Sequence, residues 1–269
     1  MAAAKKSDQG TAVGEEVVAR LAALNQATPV SGVAGPGRWL VAEYQSTALF
    51  SLKISSATSS VGTTLIVPTP YSIKMALVDA AFRAGVSDAE CDSFLRSLVA
   101  TDVRVASSDA AAVTHTFVKV RQESRKGDPT RPYGSTIAYR EVVHHHGRWL
   151  WAFDLVRGDD TLADRLVRLA PHVGYIGKRG SFVQFHGLSR ATELNHQFTQ
   201  PVQNDSPWSP PPRAHVVSLD DFGPEADLAT LSSFTDRSPK RDRHRKFVET
   251  IVPMGLVNTG PGFSEYRRG

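Results

Sequence analysis

The stretch from Thr63 to Gly85, TTLIVPTPYSIKMALVDAAFRAG, narrows most what this chain can fold into. An apolar run turns through a Pro-x-Pro corner into a segment whose apolar residues fall at Ile73, Ala76, Leu77, Ala80, Ala81 and Ala84, one stripe of a 3.6-residue helix. Thr69 is placed to cap that helix. Pro70 takes its first position, where a missing N–H costs nothing, and Gly85 closes it as a C′ residue. A stripe made mostly of alanine lets a helix lie close on a sheet. The expected partner is the strand pattern upstream, Leu40 to Ile54, where Phe50, Leu52 and Ile54 alternate with Ser51 and Lys53. Lys74 and Arg83 lie off the stripe. Lys74 is in the first turn, where the helix dipole disfavours a cation unless an anion is near, so it reads either as a solvated lysine or as a ligand contact.

The remaining elements follow from local patterns. Residues 1–14 read as a flexible lead, and Val17, Val18, Leu21 and Leu24 as a short amphipathic helix over Glu15–Asn25. Ser87 and Glu90 form a capping box for a second helix through Cys91, Phe94, Leu95 and Leu98, with Cys91 as a small buried residue. Strand-like sequence resumes at Val113–Arg121. A basic loop, QESRKGDPTRPYG, follows, and Ser135–Val143 leads through His144, His145, His146 and Gly147 into Arg148–Val156, so two hairpins are expected. Trp149, Trp151 and Phe153 share one strand face and are assigned to packing. Thr161 is the expected cap of a helix carrying Leu162, Leu166 and Leu169 and ended by Pro171. A Gly-rich loop then feeds a strand. This order of strand, helix, hairpin, helix and strand is that of an α+β, ferredoxin-like or RRM-like domain. Its expected span is residues 38–190, with residues 1–37 as the lead. Residues 191–269 form a Pro-rich and basic extension, irregular or a degenerate second half of the fold, with short strands at Val216–Leu219 and Phe247–Val252.

Composition excludes several classes. Hydrophobic residues make up 41% of the 269 and charged ones 22%, and no apolar run reaches the length of a membrane span. The polar start MAAAKKSDQG lacks the apolar region of a secretion signal, and the single cysteine excludes a disulfide framework, so a soluble, cytoplasmic protein is expected. The net charge of +4 is unevenly spread. Lys119–Arg148 holds seven Lys/Arg against three Asp/Glu, and Arg237–Lys246 holds six against one. Concentrated positive charge suits a polyanionic partner, and it equally suits two solvated basic loops.

The loop Gly174-Tyr175-Ile176-Gly177-Lys178-Arg179-Gly180 is the most informative local motif. Its glycines let the backbone approach a ligand, and Lys178 and Arg179 stand where a phosphate would sit. It matches neither a Walker A nor a Rossmann fingerprint, which disfavours a nucleotide hydrolase. The alternative is a tight turn with two solvent-facing cations. Of the three histidines only His144 and His146 share a strand face, and no carboxylate or Cys stands at ligand spacing, so zinc is not expected. An imidazole there could serve as a general base toward a ribose 2′-OH, or be a simple turn histidine. Tyr133, Tyr139, Tyr175 and Phe182 interleave with the cations, a mixture suited to splayed bases stacked on rings with their phosphates held by Lys and Arg.

The segment VPTPYSIKMALVDAAF resembles the first-helix region of the RAMP superfamily, specifically the Cas-five family, the subunit that holds the 5′ handle of the crRNA in type I CRISPR Cascade complexes. The basic central hairpin and GYIGKRGSF resemble that family's pattern in position and composition, so the likeness spans roughly Trp39 to Leu188. It implies a crRNA-binding subunit that caps the Cascade backbone. Its partners would be crRNA, the backbone and large subunits, and target DNA near the protospacer-adjacent motif, with no cofactor, metal or membrane. The residues expected to contact RNA are Lys74, Arg121, Arg125, Lys126, Arg131, His144, His146, Arg148, Tyr175, Gly177, Lys178 and Arg179. Some relatives cut precursor crRNA with Tyr, Lys and His. That set does not map onto this sequence, so no catalytic residue is carried over. A metal-independent endoribonuclease and a scaffold domain that binds no RNA stay open as alternatives.

Overall fold

The computed structural model describes residues 37–54, 61–123, 133–155, 160–202, 212–232 and 237–269. The expected helix at 15–25 and the candidates Arg125, Lys126 and Arg131 lie outside them. In chain order the elements are β1 (Trp39–Ser46), β2 (Val61–Gly62), α1 (Pro70–Arg83), α2 (Asp88–Ala100), β3 (Val103–Ala106), β4 (Ala110–Glu123), β5 (Tyr133–His146) and β6 (Arg148–Asp154). There follow α3 (Asp160–Leu169), β7 (Val183–Ala191), β8 (Gln200–Pro201), β9 (His215–Phe222), α4 (Leu228–Leu231), β10 (Arg245–Val252), β11 (Met254–Gly260) and β12 (Phe263–Arg268).

The end signals of the first two helices form as expected. The N–H of Ser72 donates to Thr69 Oγ1 at 3.1 Å, and the Thr69 N–H donates in return to Ser72 Oγ at 3.0 Å. At the other end the Gly85 N–H donates to Phe82 O and the Val86 N–H to Ala81 O, the paired bonds of a Schellman motif. Ser87 and Glu90 cap α2 reciprocally, and Cys91 is buried on it. α3 begins at Asp160, ahead of Thr161, a difference of the size helix ends commonly show.

Four antiparallel strands lie in the order β3-β6-β1-β7, with α1 between β1 and β3 in sequence and α3 between β6 and β7. This is the βαββαβ unit of a ferredoxin-like domain, and the fold class is α+β. Trp149, Trp151 and Phe153 of β6 are buried in its core. Trp151 stacks on Tyr44 with ring centroids 3.9 Å apart, and the Tyr44 hydroxyl donates to Ala170 O at 2.7 Å.

Two strand expectations are corrected. The strand expected over Leu40–Ile54 ends at Ser46. There Ser46 Oγ turns back to Ala48 O, and the chain crosses to bridge Phe50 with Val143 of β5 and Lys53 with Thr64. Of the two expected hairpins only β4–β5 forms. β5 and β6 meet at Gly147 but belong to different sheets, β5 pairing with β4 and β2, β6 with β1 and β3. Gly147 has φ 92°, and a Cβ there would stand 2.5 Å from Asp109 Oδ2, so the chain changes sheet at a corner that admits only glycine. His144–His146 are therefore strand residues, not turn residues.

The C-terminal extension adds strands outside the ferredoxin-like pattern. β8, β10 and β9 form a small sheet, and the β11–β12 hairpin joins β4, giving the order β11-β12-β4-β5-β2. β9 also lies against α1, which buries a wider arc of that helix than its alanine stripe. No helix among the described residues is long and apolar enough to cross a membrane.

His145, between the exposed His144 and His146, points inward. Its ring packs edge-on to Trp149 at 4.5 Å, and Nδ1 lies 2.8 Å from Ser108 Oγ. Burial pushes its pKa down to about 3, with His144 beside it adding to the shift. Below pH 6.5 the unfolded chain takes up a proton that the folded chain refuses. The stability from neutral burial is thus complete above pH 6.5 and is lost as pH falls toward 3. About 2 kcal/mol should be gone by pH 5. Urea denaturation of the parent and of His145→Gln between pH 7 and 5 measures this term. Equal slopes in the two proteins would remove it.

Candidate nucleic-acid interface

The Gly-rich loop is a short β-turn rooted in the core. Tyr175 and Phe182 form an antiparallel bridge, the Ile176 N–H donates to Ser181 O at 3.1 Å, and the Ser181 N–H closes the tip onto Lys178 O at 3.1 Å. Ile176 and Ser181 are buried, whereas Lys178 and Arg179 project at the tip, and neither has an ion-pair partner among the described residues. The loop is thus a tight turn with two solvent-facing cations.

Gly177 has φ 66°, and a Cβ there would come within 2.9 Å of Leu52 Cδ1. Gly177→Val should therefore cost about 1–3 kcal/mol of stability in a denaturation experiment, from backbone strain and the close contact together. A cost no larger than that of a conservative surface change would show that the turn accommodates a side chain.

The contact with Leu52 ties the loop to the crossing segment and, through it, to the base of the hairpin. The Ser51 N–H donates to Ser181 Oγ at 3.1 Å, and Ser51 Oγ donates to Glu141 O at 3.2 Å. Along β4–β5 the pairs His115↔Glu141, Phe117↔Tyr139, Lys119↔Ile137 and Arg121↔Ser135 put these residues on one face of the ladder. Toward the hairpin end that face is open to solvent, with Phe117 and Ile137 each 72% exposed and Tyr133 64%. A surface hollow of about 410 Å³ is lined by Lys119, Arg121, Tyr133, Gly134 and Ser135. Lys53, on the crossing segment, is exposed as well.

The other expected contact residues are placed elsewhere. Lys74 is fully buried and its ammonium lies 2.7 Å from Asp221 Oδ1 of β9, so it is neither a solvated lysine nor a surface contact. Burial pushes its pKa down and Asp221 opposes that shift. The anion its position near the helix start calls for is supplied by the protein itself. Arg148 pairs with Glu43 across the central sheet. His144 and His146, opposite Ala112 and Ala110, lie on the other face of the ladder from Lys119 and Arg121. Tyr175 is half-buried beside the loop.

In the distal basic run Arg243 pairs with Glu225, Arg245 with Asp220 at 2.5 Å and Lys246 with Asp221 at 3.6 Å. Much of that run's charge is thus answered within the fold. Lys53, Lys119, Phe117 and Ile137 were not singled out in the sequence. Phe117, Lys119 and Arg121 alternate within the strand expected over Val113–Arg121 and so share a face; the exposure of that face is set by the pairing with β5. Among the described residues no group of three or more His, Cys, Asp or Glu is arranged to hold a metal ion.

No family model matches the sequence, and no curated protein matches it. Among solved structures, a CRISPR protein from Archaeoglobus fulgidus is similar at TM-score 0.42 and 9% identity, over 86% of this chain and 92% of that one. A chain of a CRISPR RNA-guided surveillance complex is similar at TM-score 0.45 and 15% identity, over 80% of this chain and 89% of that one. These structural neighbours are CRISPR proteins. At such scores the likeness carries no argument, and the ferredoxin-like assignment stands on this chain's own strand order.

Proposed function

We propose that this chain binds single-stranded RNA without cutting it, as the subunit that holds the crRNA 5′ handle in a type I CRISPR surveillance complex. The observation that carries the reading is the division of its cations. Arg148 and, in the distal run, Arg243, Arg245 and Lys246 are paired with carboxylates, whereas Lys53, Lys119, Arg121, Lys178 and Arg179, like Arg237 and Lys240 of the distal run, stand exposed and without an ion-pair partner among the described residues. What sets the hairpin and loop apart is their exposed rings: Lys119 and Arg121 share a strand face with Phe117 and Tyr133, and Phe182 is exposed at the root of the loop that carries Lys178 and Arg179. Lys119 and Arg121 are two residues apart on one strand face, about 6.7 Å, a spacing that suits successive phosphates of an extended strand. The sequence resemblance of the first helix and Gly-rich loop supplies the class of RNA and the neighbouring backbone and large subunits as partners. Residues 38–190 form the RNA-holding domain in this reading, and residues 191–269 buttress α1 and the hairpin base.

Fluorescence anisotropy with a labelled single-stranded RNA tests it. Affinity should fall steeply as salt rises, because bound phosphates release counterions. Affinity that is flat from low to moderate salt would remove the electrostatic basis of the reading. Precursor RNA incubated with the protein should stay intact with or without divalent metal. Discrete cleavage abolished by changing His144, His145 or His146 would replace the holding role with a nuclease one.

A further inference from the structure

We infer that Glu141 is a positioning residue that locks the hairpin base to the Gly-rich loop, making one binding surface of two. Its side chain is only 12% exposed. Oε2 accepts the Thr64 N–H at 2.8 Å, Oε1 accepts the Tyr139 hydroxyl at 3.2 Å, and His115 Nε2 lies 3.6 Å from Oε1. Thr64 in turn holds the crossing segment, its Oγ1 accepting the Leu52 N–H at 2.9 Å while the Leu65 N–H donates to Leu52 O at 2.8 Å. The Glu141 carbonyl accepts the Ser51 hydroxyl, and the Ser51 N–H donates to Ser181 Oγ of the loop. The Leu52 side chain fills the space beside Gly177. Two anchors from one residue thus hold the stretch on which the loop rests, the carbonyl holding Ser51 directly and the carboxylate holding Leu52 through Thr64. A carboxylate accepting a backbone N–H makes a stronger bond than a neutral acceptor, and a nearly buried one is costly to leave unpaired.

Two linked surfaces bind a long strand more tightly than either alone, because the second contact becomes intramolecular. That part rests on the RNA reading above; the mechanical coupling does not. Hydrogen exchange reads the coupling directly. In Glu141→Ala the amides of Ile176, Ser181 and Val183, which close the loop, should exchange about ten times faster, while those pairing β1 with β6 keep their protection. Glu141→Gln, whose amide oxygen can still accept the Thr64 N–H, should restore most of the loop's protection. If Glu141→Ala does not fold, Ser51→Ala removes only the hydroxyl bridge and should show the same local change. Unchanged loop exchange in a folded variant would overturn the inference.

For binding, an RNA long enough to reach both surfaces should lose about tenfold in affinity with Glu141→Ala, whereas an oligonucleotide too short to span them should lose almost none. Equal losses for both lengths would overturn the coupling of the two surfaces. A parent protein that binds neither RNA would instead overturn the RNA reading, with the exchange result still deciding the role of Glu141.

Discussion

Asp221→Ala should destabilise the protein by about 3–5 kcal/mol, because it strands the Lys74 ammonium in the interior without its counter-charge. The contact is a close ion pair rather than a well-aligned hydrogen bond, and the ammonium has no other hydrogen-bond acceptor among the described residues. The nearby Phe222 ring, 5.6 Å from the ammonium, cannot take the place of a carboxylate. Asp221 Oδ1 also accepts the Phe222 N–H at 2.7 Å, so its removal leaves a second buried donor unpaired. The double variant Lys74→Met with Asp221→Ala should recover most of the loss, since removing both charges of a buried pair is far milder than removing one. Denaturant titration of the two variants and the parent decides this. A single variant as stable as the parent would show that Lys74 escapes to solvent or sheds its proton at little cost. The pair joins residues far apart in sequence, α1 to β9, so the same experiment asks how firmly the C-terminal sheet is held to the ferredoxin-like core.

The second large effect is expected at the loop tip. Lys178→Ala with Arg179→Ala should weaken single-stranded RNA binding by about 3 kcal/mol at low salt, roughly 150-fold, if each cation makes one charge-assisted contact to a phosphate. Folding stability should change by only about 0.5 kcal/mol, since both side chains are exposed and neither is ion-paired among the described residues. The deficit should shrink as salt rises, because the parent's advantage comes from counterion release. Arg243→Ala is the matched control. Its guanidinium pairs with Glu225 at the surface, and its loss should leave RNA affinity nearly unchanged. Equal affinity of the loop variant and the parent, with both well folded, would take the loop out of the binding surface and leave the hairpin to carry it.

The helix ends were legible in the sequence because their signals act within a few residues. Thr69, Pro70 and Gly85 bound α1, and Ser87 with Glu90 starts α2, all through bonds spanning one turn. The inward face of Trp149, Trp151 and Phe153 was equally legible, since alternation along a strand needs no knowledge of the partner strand. The same holds for the Gly-rich loop, whose composition alone predicts an exposed turn with two cations.

The tertiary structure decided which groups meet across long separations. Lys74 carries no local mark of burial, and only the arrival of β9 supplies Asp221 and turns a surface lysine into an interior one. Arg243, Arg245 and Lys246 look as free in sequence as Lys178 and Arg179, yet Glu225, Asp220 and Asp221 claim them once β9 and β10 pair. The His144–Gly147 segment looks like a hairpin turn, but the chain changes sheet at Gly147 and the histidines stay in β5, whose register with β4 sets His144 and His146 on the face away from Lys119 and Arg121. Periodicity and caps depend on near neighbours and survive in a single sequence. Charge pairing and sheet membership depend on partners tens to more than a hundred residues away, which the fold alone selects.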